Sequence, residues 1–85
     1  MEKLKYENTS YDRVEVVAIP EGINIDGAQL NRCTDNARLI LNNNPNSDIK
    51  YIEGIMMILE NNVYRAVSHA WNSSDGKYFD VTQKL

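Results

Sequence analysis

Three residue types that together perform nucleophilic acyl transfer occur once or close together in this chain. Cys33 is its one cysteine and His69 its one histidine, and Asp80 follows His69 by eleven residues within "HAWNSSDGKYFDVT". A carboxylate on one imidazole nitrogen fixes the tautomer and orientation of the ring, and the other nitrogen then faces a nucleophile. A thiol at a helix start, where free N–H groups and the helix dipole favour the thiolate, is the matching nucleophile. Singly, each residue has an ordinary structural reading. Cys33 reads as a small core residue, His69 as a hydrogen-bonded structural histidine, Asp80 as a strand-end cap and Trp71 as core. Their order along the chain is what raises the chemistry.

The elements that must position them are legible in outline. "VEVVAI" (14–19) is β-rich and predicts a strand, ended by Pro20 and Gly22. "INIDGAQ" (23–29) reads as a loop. "LNRCTDNARLILNN" (30–43) predicts a helix, with Leu30, Cys33, Ala37, Ile40 and Leu41 at helical spacing and Asn31 or Thr34 as the cap. "NNNPNSD" (42–48) stops it. Three strands follow, at 49–60, 63–72 and 77–82, joined by Asn61-Asn62 and by "SSDG" (73–76). The expected fold is α+β: one helix packed on a three-stranded antiparallel meander, plus an N-terminal strand. Residues 1–12 read as a polar segment that frays or adds an edge around Tyr6–Tyr11, and residues 13–85 as a single domain.

Strand alternation puts Val63, Arg65, Val67, His69 and Trp71 on one face. A four-residue "SSDG" loop sets His69 opposite Asp80; a tight Asp75-Gly76 turn makes them diagonal neighbours. Both registers bring them within reach. An Asn61-Asn62 turn pairs His69 with Gly54, where the missing side chain leaves room for a thiol or a substrate.

Composition narrows the classes. The net charge of −3 makes a poor partner for a nucleic acid polymer. One cysteine and one histidine exclude a structural zinc site and an internal disulfide, and a lone thiol suits a reducing compartment, so the expected location is cytoplasmic. No apolar leader opens "MEKLKYENTSYDR", and "IMMIL" (55–59) is too short to span a bilayer, so no membrane role is expected. The 49–60 strand is apolar on both sides, with Tyr51, Ile55, Met57 and Leu59 against Ile52, Met56 and Ile58. In an 85-residue chain with a thin core, that pattern is compatible with a homo-oligomer.

The stretches "CTDNARLIL", "YIEG" and "HAWN…DGKYFDVT" resemble the transglutaminase-like (papain-like) cysteine-enzyme superfamily, in the form of a very small phage-type protein. The resemblance covers about residues 31–82. It implies Cys33 as nucleophile, His69 as general base and acid, and Asp80 as orienting carboxylate. The reaction it implies is amide hydrolysis or cross-linking through a thioester, on a peptide amide, with no cofactor. The chain departs from the family by its short length and by Asn31-Arg32 before the cysteine. Gln29, Asn31 and Asn36 are the oxyanion or positioning candidates, and Trp71, Tyr78, Arg65 and Glu53 the binding candidates. The alternative is a non-catalytic phage-type protein on the same fold that captures a small molecule such as a nucleotide signal, or blocks a host protein. Arginines and aromatic rings would then be the anchors.

Overall fold

A long β-hairpin organises the chain in the computed structural model, which describes residues 3–85. Its strands are β3 (Lys50–Glu60) and β4 (Val63–Ser74); β1 (Lys3–Tyr6) and β2 (Thr9–Asp12) precede them in the chain. Asn61 and Asn62 both take positive φ, 50° and 64°, the backbone of a two-residue type I′ turn. That turn sets an unbroken register from Glu60↔Val63 to Lys50↔Ser73, with His69 opposite Gly54. Asp75 and Gly76 repeat the device at φ 53° and 73°, and Ser74 pairs with Lys77. Of the two registers open in the sequence, the structure takes the tight one, so Asn72 faces Phe79.

The last strand, β5 (Lys77–Phe79), is shorter than the 77–82 expected. Asp80 takes the N-cap of a short helix, α2 (Val81–Lys84), and its side chain accepts from the Gln83 N–H at 3.2 Å. The sheet is thus the meander β3-β4-β5.

Upstream, two expectations change. "VEVVAI" forms no named strand. It makes one parallel bridge, Val16 to Tyr78, with the Val17 N–H on the Tyr78 carbonyl at 2.8 Å. The tight turn aims only the Tyr78 backbone groups of the three-residue β5 outward, so one residue is all this edge has to offer. The N-terminal segment does not fray over residues 3–12. It forms a separate β1–β2 hairpin through Glu7 and Asn8, closed by a Lys3–Asp12 ion pair. Residues 1–2 of the expected polar segment lie outside the described residues.

The main helix, α1 (Cys33–Asn43), begins three residues later than its apolar pattern suggested. Asn31 sits at φ 59°, and Leu30 stays 68% exposed outside the helix. The N-cap is Arg32, with no side-chain cap, so neither Asn31 nor Thr34 caps it. The inward stripe is Asn36, Ala37 and Ile40. Ile40, Ile49, Phe79 and Val81 form the core, and Ile19, Ile23, Ile25, Ala28 and Leu41 pack against it. Loop 23–29 is therefore an apolar lid on the core. Asn44 holds it, exchanging hydrogen bonds with the Asn24 N–H and C=O at 2.9 and 3.0 Å, while Asn43 donates to the Asp26 carbonyl at 2.9 Å. Among the described residues no helix is long and apolar enough to cross a membrane.

Asp48 ties the far end of the hairpin together. It accepts from Ser74 Oγ at 2.6 Å and from the Asp75 N–H at 2.9 Å, and these bonds hold its carboxyl below the usual aspartate value of 3.8. A depressed folded-state value stabilises the fold at pH above 3.8, and that contribution is lost as pH falls through the folded value. Asp48→Asn is therefore expected to lower the melting temperature at neutral pH, with the difference from wild type shrinking as pH falls below 3.8. Melting curves of both proteins across the acid range check this, and a pH-independent difference would contradict it.

Candidate functional site

His69 and Asp80 come together as a buried pair. His69 Nε2 lies 2.6 Å from Asp80 Oδ2, and the two side chains are 7% and 6% exposed. Each partner is positioned by a different device. Unbroken β4 register sets His69, and the N-cap of α2 sets Asp80, whose two oxygens serve α2 and the imidazole separately. A carboxylate only accepts, so Nε2 carries the proton and Nδ1 is the basic nitrogen of the neutral ring. Among the described residues no group bonds Nδ1, and that atom is not sealed from solvent.

Trp71 stacks on His69, with ring centroids 5.9 Å apart and planes at 26°. Its indole also occupies the space over Gly54. A Cβ on Gly54 would lie 2.5 Å from Trp71 Cη2. The missing side chain beside His69 thus makes room for the tryptophan, not for a thiol. Gly54→Ala is expected to displace the indole and cost about 1–3 kcal/mol by overpacking. Urea unfolding with tryptophan emission as the probe measures both effects, and an unchanged midpoint and spectrum would rule out the clash.

Cys33 is the first residue of α1, half-buried and with a free thiol. It precedes the inward stripe by one turn. Ala37 accepts from Asn72 Nδ2 at 2.9 Å, and Asn36 Nδ2 donates to Thr82 Oγ1 at 2.8 Å. Four residues back along the helix is ~6 Å, or about two residues of β4. Thr34 lines a cavity of ≈330 Å³ with Ser68 and His69, so the helix start lies at the level of Ala70 and His69. No hydrogen bond joins the thiol to the imidazole. Strand alternation also puts His69 and Trp71 on the sheet face opposite Ala70 and Asn72, and Asn72 is the one that meets α1. The helix that carries Cys33 therefore packs on the sheet face opposite the His69 imidazole.

The other candidates separate. Asn36 is 2% exposed and spends both amide hydrogens, on the Gln29 carbonyl at 2.8 Å and on Thr82, so none is left for an oxyanion. Its Oδ1 takes the Gln29 N–H at 2.9 Å, which fixes the Gln29 backbone and leaves that side chain exposed. Asn31 is exposed in the left-handed turn before α1. Arg65 pairs with Glu60 at 2.7 Å near the hairpin tip, away from the His69–Asp80 pair. Glu53 accepts from the Tyr51 hydroxyl at 2.7 Å, which raises the phenol above the usual tyrosine range. Trp71 and Tyr78 share the wall of a groove of ≈750 Å³.

Three residues that the sequence did not offer as site candidates contribute here. Thr82 and Asn72 anchor α1, and Thr34 lines the His69 cavity. Asn72 had a signal: it is a polar residue at an alternation position that faces the helix. No cluster of three or more His, Cys, Asp or Glu among the described residues forms a metal site. The chain matches no protein family, no curated protein and no solved structure, so the site stands on its own geometry.

Proposed function

We propose that this protein is a minimal cysteine acyl-transfer enzyme of transglutaminase-like, phage-type character, acting in a reducing, cytoplasmic setting. Cys33 attacks an amide or ester carbonyl. His69 Nδ1 takes the thiol proton and returns it to the leaving group. Asp80 holds the ring and balances the imidazolium that forms. The observation that carries this reading is the buried 2.6 Å His69–Asp80 pair, with Nδ1 left open, at the level of the first turn of α1. With the Asn36 side chain committed, backbone N–H groups at the start of α1 are the remaining oxyanion donors.

The test is acyl trapping. Incubation with p-nitrophenyl acetate should add one acetyl group to Cys33, read by intact mass and peptide mapping and removed by hydroxylamine. Acetylation at the same rate in wild type and His69→Ala would sink the reading. One observation favours a second: His69 and the α1-facing residues belong to opposite sheet faces. In that reading the His69–Asp80 pair is a structural brace in a protein that binds a ligand without chemistry, and Cys33 stays unacylated.

A further inference from the structure

The β1–β2 hairpin stands apart from the rest of the chain. Among the described residues its strands pair with each other, and neither adds a backbone hydrogen bond to another strand or helix. No other element comes close to their backbone. A two-stranded hairpin on its own is marginal in water. This one has two further weak points. Glu7 holds φ 49° in the turn, a left-handed conformation that a glutamate side chain disfavours. The Lys3–Asp12 pair that closes the other end is exposed, where an ion pair contributes little. An element that buries so little surface opens locally, well before the core unfolds.

One side chain ties the hairpin down. Of its described side chains, Tyr11 alone is half-buried and the others are exposed. Tyr11 lines the ≈330 Å³ cavity beside Thr34 and His69, and also the ≈750 Å³ groove beside Trp71 and Tyr78. It is the one residue outside β3 that lines both spaces. Arg13 and Val14 then connect β2 to the Val16–Tyr78 bridge, which pins the chain to β5. Neither belongs to a strand or a helix, so a backbone rotation there swings the hairpin and leaves the bridge in place.

We infer that the β1–β2 hairpin is a hinged flap over the candidate site. Tyr11 is its latch and Arg13–Val14 its hinge, and opening uncovers the groove at Trp71 and the cavity at His69 together. The inference concerns the regulation of that site, and it rests on the acyl-transfer reading only for the reaction that the flap controls.

The test moves the flap from its turn, away from every candidate residue. Glu7→Asn combined with Asn8→Gly installs the pair that favours a two-residue type I′ turn, and holds the flap shut. Asn8→Pro cannot keep the φ of 64° at that position and breaks the turn. Tyr11→Ala removes the latch alone. Trp71 is the only tryptophan in the chain, so acrylamide quenching of its emission reads the groove directly. Quenching should rise at least twofold in Asn8→Pro and in Tyr11→Ala, and fall below wild type in the double variant. In wild type, amide hydrogen exchange at Thr9 and Tyr11 should run at least a hundredfold faster than in the β3–β4 ladder. The double variant should slow it at least tenfold. Acylation of Cys33 by the p-nitrophenyl ester of benzyloxycarbonylglycine should rise at least threefold in both opened variants and fall at least threefold in the closed one.

Equal quenching in all four proteins would overturn the inference. So would exchange at Thr9 and Tyr11 as slow as in the β3–β4 ladder, or an Asn8→Pro chain that does not fold, since either would make the hairpin part of the core. Quenching that shifts while acylation keeps one rate would overturn it too, because the flap would then control nothing. Quenching and exchange that shift as expected, with no acylation in any of the four, keep the flap and remove the acyl-transfer reading. Acylation at one rate in all four, with quenching unchanged, does the reverse.

Discussion

Alanine at His69 is expected to slow acyl transfer to Cys33 by about 10²–10⁴-fold, the usual contribution of a positioned general base. The variant removes the Nδ1 base and also leaves Asp80 buried without its partner, so a loss of activity alone would not separate chemistry from folding. Asp80→Asn makes that separation. Asparagine caps helices about as well as aspartate, so the bond to the Gln83 N–H persists and the fold holds. What changes is the group facing Nε2. An amide neither fixes the Nε2–H tautomer nor balances an imidazolium, so acylation should fall by at least tenfold while the melting temperature stays within a few degrees. Burst amplitude and rate with p-nitrophenyl acetate, measured beside the melting curve for each variant, give both numbers. If Asp80→Asn instead loses stability and keeps its acylation rate, the pair is a brace and not a catalytic device.

The hairpin and its register were legible because turn chemistry decides them. Asparagine at 61 and 62 accepts positive φ, a two-residue turn admits one pairing, and His69 then has to face Gly54. The proximity of His69 and Asp80 followed from either register of the second turn. Less legible was anything settled by competition between local options. "KYFDVT" has strand composition throughout, yet the Asp80 side chain gains more by capping four residues of helix than by continuing β5. "VEVVAI" has strand composition too, but a strand needs a partner of matching length, and β5 presents only Tyr78. Gly54 shows the same limit at the site. A glycine opposite a histidine reads as open space, and only the indole of Trp71 lying across it reveals that the space is taken. The asparagines at 43 and 44 read as a helix stop, while their side chains also clamp the loop that roofs the core. That second role depends on a contact about twenty residues away in sequence, which no local pattern encodes.

Phe79→Ala is expected to cost about 3–5 kcal/mol, the range for emptying a buried aromatic site. Phe79 is fully buried and sits among Ile40, Ile49 and Val81. A domain of 85 residues has about 4–13 kcal/mol of total stability, so this one substitution removes a large share of it. At roughly 4–8 °C per kcal/mol the melting temperature should fall by about 12–40 °C. The effect should reach the site as well. Phe79 is the last residue of β5, and it pairs with Asn72 immediately before Asp80 turns away to cap α2. With the ring gone, nothing seats the chain at the point where the carboxylate is aimed, and the 2.6 Å contact to His69 loosens with the strand. Phe79→Leu keeps most of the volume and should cost no more than ~1.5 kcal/mol. Urea unfolding of both variants, together with Cys33 acylation in the fraction that remains folded, tests the coupling. A drop of less than about 1 kcal/mol for Phe79→Ala would place the centre of the core elsewhere. Full stability loss with undiminished acylation of the folded fraction would show that α2 alone, without β5, is enough to hold Asp80 against His69.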